Sequence, residues 1–239
     1  MPTNQAFQYS KDFEVLSFQV DPQGKLRWAS LGDLLQEVAW KHADSRDFGQ
    51  TLFDKGLVWI LSRFHIEVKK MPRWGDKIKV ETAGRGVSKL FALREFSVTD
   101  GAGDQLAWAM SAWLLLDTKS KRPQRPTAVL PSELFDPIAD ESLLPPKLEP
   151  GNSTTFSSSI TVLPSDLDMN NHVNNVSYIR WIEDVATLKG LTLQSLKINY
   201  LAEALCGDSV DIFMSDEGGR EVLQGRIGDK LVFLTEIGP

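Results

Sequence analysis

Three residues at alternate positions, Asp168, Asn170 and His172, give this chain a carboxylate, a carboxamide and an imidazole within one short stretch. An imidazole has an intrinsic pKa near ~6.5 and moves protons at neutral pH. A carboxylate can attack an electrophilic carbon or take a proton from water, and a carboxamide can orient a substrate or that water. Asn174 and Asn175 follow, and then Val176, Ile179, Ile182, Val185 and Ala186 recur at helical spacing. The polar set is therefore expected at the mouth of a helix, where unpaired N–H groups and a partial positive charge suit a developing oxyanion. Asp and Asn are also favoured at turns and caps. A cap needs one oxygen, however, and this set exceeds it. The combination is equipped for acyl transfer to water. No serine nucleophile elbow, phosphate-cradling glycine loop or HExxH metal motif accompanies it.

The elements that must position these groups come from a duplicated chain. His65–Asp76 aligns without a gap to Lys197–Asp208, each segment ending in Gly-Asp and running into a strand, Lys77–Glu81 or Ser209–Phe213. In the first half Ser30-Leu31-Gly32-Asp33 reads as a capping box, followed by an apolar face of Leu31, Leu34, Leu35, Val38 and Ala39. Strands are expected at Leu57–Val68, Lys77–Thr82, Leu90–Thr99 and Gln105–Leu116, with a hairpin turn at Asp100–Asp104. In the second half they are expected at Thr154–Leu163, Leu196–Leu201, Ser209–Met214, Arg220–Ile227 and Lys230–Ile237. A helix after Asn175 stops at Lys189-Gly190. Pro- and Gly-rich residues 136–153 read as a linker between a first repeat at 1–135 and a second at 154–239. One helix against a curved antiparallel sheet, twice, is an α+β fold.

Bulk properties close off other classes. The formal net charge of -6 argues against a nucleic-acid partner. No apolar run approaches the ~20 residues of a membrane span. The single cysteine, Cys206, excludes an intrachain disulfide and a Cys-rich zinc site. The first residues lack the features of a secretory signal or a transit peptide, so a cytoplasmic protein is expected.

The string Asp168-x-Asn170-x-His172-Val173-Asn174-Asn175-Val176-x-Tyr178, carried on this duplicated layout, resembles the signature of acyl-acyl carrier protein (acyl-ACP) thioesterases. The resemblance implies a double hotdog fold and a bacterial member. It also implies hydrolysis of fatty acyl-ACP to free fatty acid and holo-ACP, which ends elongation in fatty acid biosynthesis. Asp168, Asn170 and His172 become catalytic positions, Asp168 acting either as nucleophile or as base for water. A fourth group is implied in Tyr200–Asp208, where Glu203 and Cys206 compete. Glu203 is preferred, because a carboxylate can orient His172 or a water; Cys206 is expected to pack as a small apolar residue.

No cofactor or metal is implied, since the phosphopantetheine arrives with the substrate. An acyl-CoA thioesterase on the same fold is the alternative, followed by a non-catalytic acyl-chain or carrier-binding module. The first half lacks the motif: its counterpart is read at Leu26–Asp33, giving one site per chain and leaving this half to form the pocket for the acyl chain. His42 and His65 are read as structural. Trp40 and Trp59 are candidates for setting acyl length. An acidic enzyme needs a basic patch to meet acidic ACP. Lys119, Lys121, Arg122 and Arg125 form one, and Lys69, Lys70, Arg73 and Lys77 a second. A monomer or a homodimer is expected.

Overall fold

The computed structural model describes residue 3 and residues 5–46, 49–130 and 140–238. By internal contacts the chain divides into two compact units, Met1–Pro145 and Pro146–Pro239. The stretch 131–139, which holds the start of the expected linker, lies outside the described residues.

In the first unit, β1 (Tyr9–Glu14) leads to α1 (Trp28–Asp44) and the short α2 (Gln50–Asp54). Four long strands follow: β2 (Leu57–Val68), β3 (Lys77–Ser88), β4 (Phe91–Asp100) and β5 (Gln105–Asp117). The two-residue β6 (Pro123–Gln124) and one-turn α3 (Pro126–Val129) come last. The order is β1-β3-β4-β5-β2, all antiparallel, with β6 on β5. Leu31, Leu34, Leu35, Val38 and Ala39 of α1 are buried, as their spacing predicts.

The expected capping box is corrected. The N-cap is Arg27 without a side-chain cap, and Ser30 and Asp33 lie inside the helix. Tertiary hydrogen bonds start the helix earlier: Leu26 N–H donates to Pro72 O (2.7 Å) and Arg27 N–H to Gln19 O (3.0 Å). The hairpin at Asp100 forms as expected, Asp100 Oδ1 accepting from Ala102 N–H (2.9 Å) and Asp104 N–H (3.0 Å).

Two buried polar groups brace this sheet. Arg85 Nε donates to Glu95 Oε2 at 2.5 Å, and Trp108 Nε1 donates to Glu95 Oε1 at 2.8 Å. Burial raises the Glu95 pKa, but the bonds from Thr3, Trp108 and Arg85 outweigh it and hold the carboxyl below its ordinary value. His42 is buried, meets Arg94 Nη1 through Nδ1 at 2.9 Å and stacks on Tyr9. Burial, then the charges of Arg94 and Arg46, lower its pKa to about 4, so it is neutral at physiological pH.

The second unit contains β7 (Thr155–Thr161), α4 (Asn175–Leu188), β8 (Ser195–Tyr200), β9 (Ser209–Asp216), β10 (Glu221–Ile227) and β11 (Lys230–Gly238). Its strand order, β8-β11-β10-β9-β7, matches β2-β5-β4-β3-β1 position for position. Val176, Ile179, Ile182, Val185 and Ala186 form the buried face of α4, joined by Tyr178 and Trp181. The helix ends where expected: Gly190 takes a φ of 69° and Leu191 N–H donates to Ala186 O (2.9 Å). Each unit is therefore a hotdog, an antiparallel sheet with one long helix, and the chain is the α+β double hotdog expected from the sequence.

One glycine secures the core beneath α4. A Cβ at Gly225 would lie 2.1 Å from the Phe233 ring, so only glycine leaves that ring its place. Phe233 packs edge-on against Tyr178 (5.5 Å between centroids), and Tyr178 against Tyr200 (5.7 Å). Tyr200 Oη donates to Asn175 O at 3.1 Å, tying this aromatic cluster to the start of the helix.

Candidate active site

The sequence stretch opening at Asp168 folds as a loop closed by an isolated bridge between Leu167 and Val173. Before it, residues 164–166 form a 3-10 turn whose Asp166 Oδ2 accepts from Leu163 N–H (2.8 Å). The other Asp166 oxygen pairs with Arg180 on α4, which fixes the turn to the helix. Inside the loop Asp168 is the organising residue. Its N–H donates to His172 O (2.8 Å), and its carbonyl accepts from Asn171 N–H (3.1 Å). Its Oδ1 accepts from Asn170 N–H (2.8 Å) and His172 N–H (3.2 Å), and its Oδ2 accepts from Asn170 Nδ2 (3.3 Å). Asn171 adopts a φ of 60°, which Asn tolerates better than most residues.

The polar set stands at the mouth of a helix, as its spacing predicts. Asn174 is the N-cap: its side chain accepts from Val176 N–H (3.1 Å) and its carbonyl from Ser177 N–H (2.8 Å). The cap engages the Val176 and Ser177 amides, and the Asp168–His172 loop stands directly before it.

Glu203 reaches the loop through its neighbour. Val173 N–H donates to Ala204 O (3.1 Å), which sets the residue after His172 against the residue after Glu203. Ala204 also supplies a backbone hydrogen bond to the Tyr178 hydroxyl, which burial holds well above its ordinary pKa. Lys230 Nζ donates to Glu203 O (3.2 Å) from the far side. The result places His172 Nε2 3.5 Å from Glu203 Oε2, with side chains 32% and 56% exposed, open enough to meet a substrate.

Cys206 does not pack in the core as expected; its thiol is exposed. It lies in a turn pinned by Asp208, whose Oδ2 accepts from Leu205 N–H (2.8 Å), with Gly207 at a φ of 88°. Asp168, Asn170, His172 and Glu203 are thus brought together, and the carboxylate facing the imidazole is Glu203. Among the described residues, no group of three or more His, Cys, Asp or Glu side chains is placed to hold a metal.

The first unit repeats this frame, and at a different place from the one the sequence suggests. Its counterpart is Asp21–Leu26, ahead of Leu26–Asp33. Asp21 N–H donates to Lys25 O (2.8 Å), and Asp21 O accepts from Gly24 N–H (2.9 Å). Asp21 Oδ1 accepts from Gln23 N–H (2.8 Å) and Lys25 N–H (2.9 Å). A bridge between Val20 and Leu26 closes the loop, and Gly24 has a φ of 73° where Asn171 has 60°. Asp21, Gln23 and Lys25 therefore stand where the second unit has Asp168, Asn170 and His172. Leu26 N–H to Pro72 O matches Val173 N–H to Ala204 O, so Met71 stands where the second unit has Glu203. The sequence signal was an Asp followed three residues later by a residue able to take positive φ.

Other candidates sort by exposure. Lys119, Lys121, Arg122 and Arg125 are all exposed around the turn after β5. In the second basic group Lys69 Nζ is engaged by Gln105 (2.8 Å) and Arg73 by Gln23 O (2.9 Å). Trp40 is 44% exposed and lies off the buried face of α1. Trp59 packs against Leu52, Leu57, Leu115 and Leu130. His65 pairs with Glu67 (3.3 Å) and meets Trp108 edge-on, as a structural histidine does.

Comparison with known proteins bears on the family and the fold. Residues 6–134 match the acyl-ACP thioesterase N-terminal domain, and residues 151–232 the acyl-ACP thioesterase C-terminal domain. Among curated relatives, oleoyl-acyl carrier protein thioesterase 1 of Arabidopsis thaliana is 30% identical over 237 residues, 87% of this chain and 64% of the relative. A palmitoyl-acyl carrier protein thioesterase of the same plant is 29% identical over 84% of this chain and 53% of its own length. The chain thus spans between half and two thirds of these relatives. Among solved structures, an acyl-ACP thioesterase from Bacteroides thetaiotaomicron superposes with a TM-score of 0.81 at 27% identity, covering 95% of this chain and 96% of that one. The 12:0-ACP thioesterase from Umbellularia californica shares the fold with a TM-score of 0.79 at 23% identity, covering 96% and 95%. Two matched domains over most of the chain, each on a hotdog unit, place this chain in the acyl-ACP thioesterase family.

Proposed function

We propose that this chain hydrolyses the thioester of a fatty acyl group carried on acyl carrier protein, releasing the free fatty acid and the carrier's free thiol. The observation that carries this reading is the His172–Glu203 pair at 3.5 Å, held half-exposed beside Asn170 and Asp168. With Nε2 facing a carboxylate, the imidazole is oriented to take a proton on Nδ1. A water gives that proton, and its oxygen bonds to the thioester carbonyl carbon. The C–S bond then breaks, and the departing sulfur takes the proton back from His172. A thiol with a pKa of about 8–9, judged from cysteine, leaves with little acid assistance, so orienting the water is the main demand on the site. Asn170 is suited to that task.

The exposed cations Lys119, Lys121, Arg122 and Arg125 are the proposed docking surface for the acidic carrier. No cofactor enters the scheme. The test is product analysis: purified protein, a ladder of acyl-ACPs and the matching acyl-CoAs, with the released acids identified. Faster release from acyl-ACP supports the reading. Faster release from acyl-CoA reassigns the substrate, and binding without release makes the chain a carrier-binding module.

A further inference from the structure

Resting on that reading, we propose that Asp168 is a positioning residue which builds the His172 loop, and that water rather than Asp168 attacks the thioester carbonyl. The first unit supplies the argument. Asp21 makes the same set of backbone bonds as Asp168, through its N–H, its carbonyl and its Oδ1, within 0.3 Å of the same lengths. Yet no imidazole and no partner glutamate accompany it: Gln23, Lys25 and Met71 occupy those places. An aspartate that keeps its bonds where the proton-moving groups are absent is there for the loop.

The second unit agrees in detail. Asp168 Oδ1 already accepts two backbone N–H groups and Oδ2 accepts from Asn170 Nδ2. Attack through Oδ2 would draw on the oxygen that holds the Asn170 side chain, and would leave Oδ1 a neutral, weaker acceptor for the two amides that place His172 and Asn170. Asp168 acts through the His172 amide, and the imidazole faces Glu203 as a result. In the hydrolytic step one water O–H bond and the C–S bond break, and one C–O bond and one S–H bond form. No bond forms to Asp168.

Asp168→Asn in the intact chain separates the two roles. Asparagine keeps an acceptor oxygen for the loop amides and loses the nucleophile. We expect kcat on acyl-ACP to fall by no more than ~30-fold, with the acid limb of the pH–rate profile unmoved, against the 10⁴-fold or greater losses typical, to order of magnitude, of a missing nucleophile. A loss beyond ~30-fold, or an acyl group trapped on the Asp168 peptide during turnover, overturns the proposal. Asp168→Ala and Asp21→Ala each remove the one oxygen that accepts two loop amides and should lower Tm alike, by ~2–4 °C. A drop at Asp21 with none at Asp168 overturns it independently of activity. Wild-type turnover in the same assay isolates the functional reading: an inert wild type refutes thioester hydrolysis, while the Tm comparison still decides the loop role.

Discussion

The loops at Asp21–Lys25 and Asp168–His172 have one backbone and two chemistries. Both begin after a 3-10 turn, both close with an isolated bridge, and in both an aspartate gathers two amides on Oδ1. The first then presents Gln23 and Lys25, with Met71 across the strand break; the second presents Asn170 and His172, with Glu203. What they share builds the loop, and what differs can move a proton. The difference therefore divides the motif into a frame and a reactive pair, a division that the motif read alone does not reveal.

The strongest way to break the comparison is to turn the second loop into the first. His172→Lys together with Glu203→Met is expected to cut kcat by at least ~10³-fold, combining the loss of a general base with that of its orienting partner. Tm should move by less than ~4 °C, because the loop bonds are made by Asp168 and the backbone. Retained activity in this variant would remove the site from these residues. Asn170→Gln copies Gln23 and displaces a carboxamide by one methylene; we expect a ~10-fold loss in kcat, read in steady-state assays on acyl-ACP.

Charge reversal at Lys121 and Arg122 asks whether the first unit has become a docking surface. KM for acyl-ACP should rise roughly 3–10-fold at low salt, with acyl-CoA unaffected and the effect shrinking as ionic strength rises. Equal effects on both substrates would count against docking.

The smallest effect concerns His42, which is buried in the first unit and does no chemistry. Its folded pKa is about 4 against an ordinary 6.5, so between those values the unfolded chain binds more protons. Stability from this group is full above pH 6.5 and is lost as pH falls toward 4, with a slope of at most ~1.4 kcal/mol per pH unit. His42→Gln should flatten that part of the unfolding profile, measured by denaturant titration across the range.

Much of this was legible in the sequence. Strand β2 lies at Leu57–Val68 as its composition predicts, and α4 buries the face that its spacing marks. The aligned Gly-Asp segments correctly located the repeat, because Gly75 and Gly207 both need positive φ and Asp76 and Asp208 both cap the turn. Features set by distant partners were hidden. Strand β3 continues past its expected end at Thr82 through Gly84 and Gly86; a bulge there lets Arg85 reach Glu95. The Asp21 loop escaped notice because only its aspartate and its positive-φ residue match Asp168–His172, and everything chemical between them has changed. The start of α1 was misplaced because the carbonyls of Pro72, distant in sequence, and of Gln19, in the preceding turn, supply its first hydrogen bonds.

The central claim is that a His–Glu pair, held by an aspartate-built loop, carries the reaction. Hydrolysis of acyl-ACP by Glu203→Ala and Cys206→Ala, measured side by side, tests it most directly. The account predicts a loss of at least ~10²-fold for Glu203→Ala and a rate within ~3-fold of wild type for Cys206→Ala. A near-normal Glu203→Ala beside an inactive Cys206→Ala would contradict it.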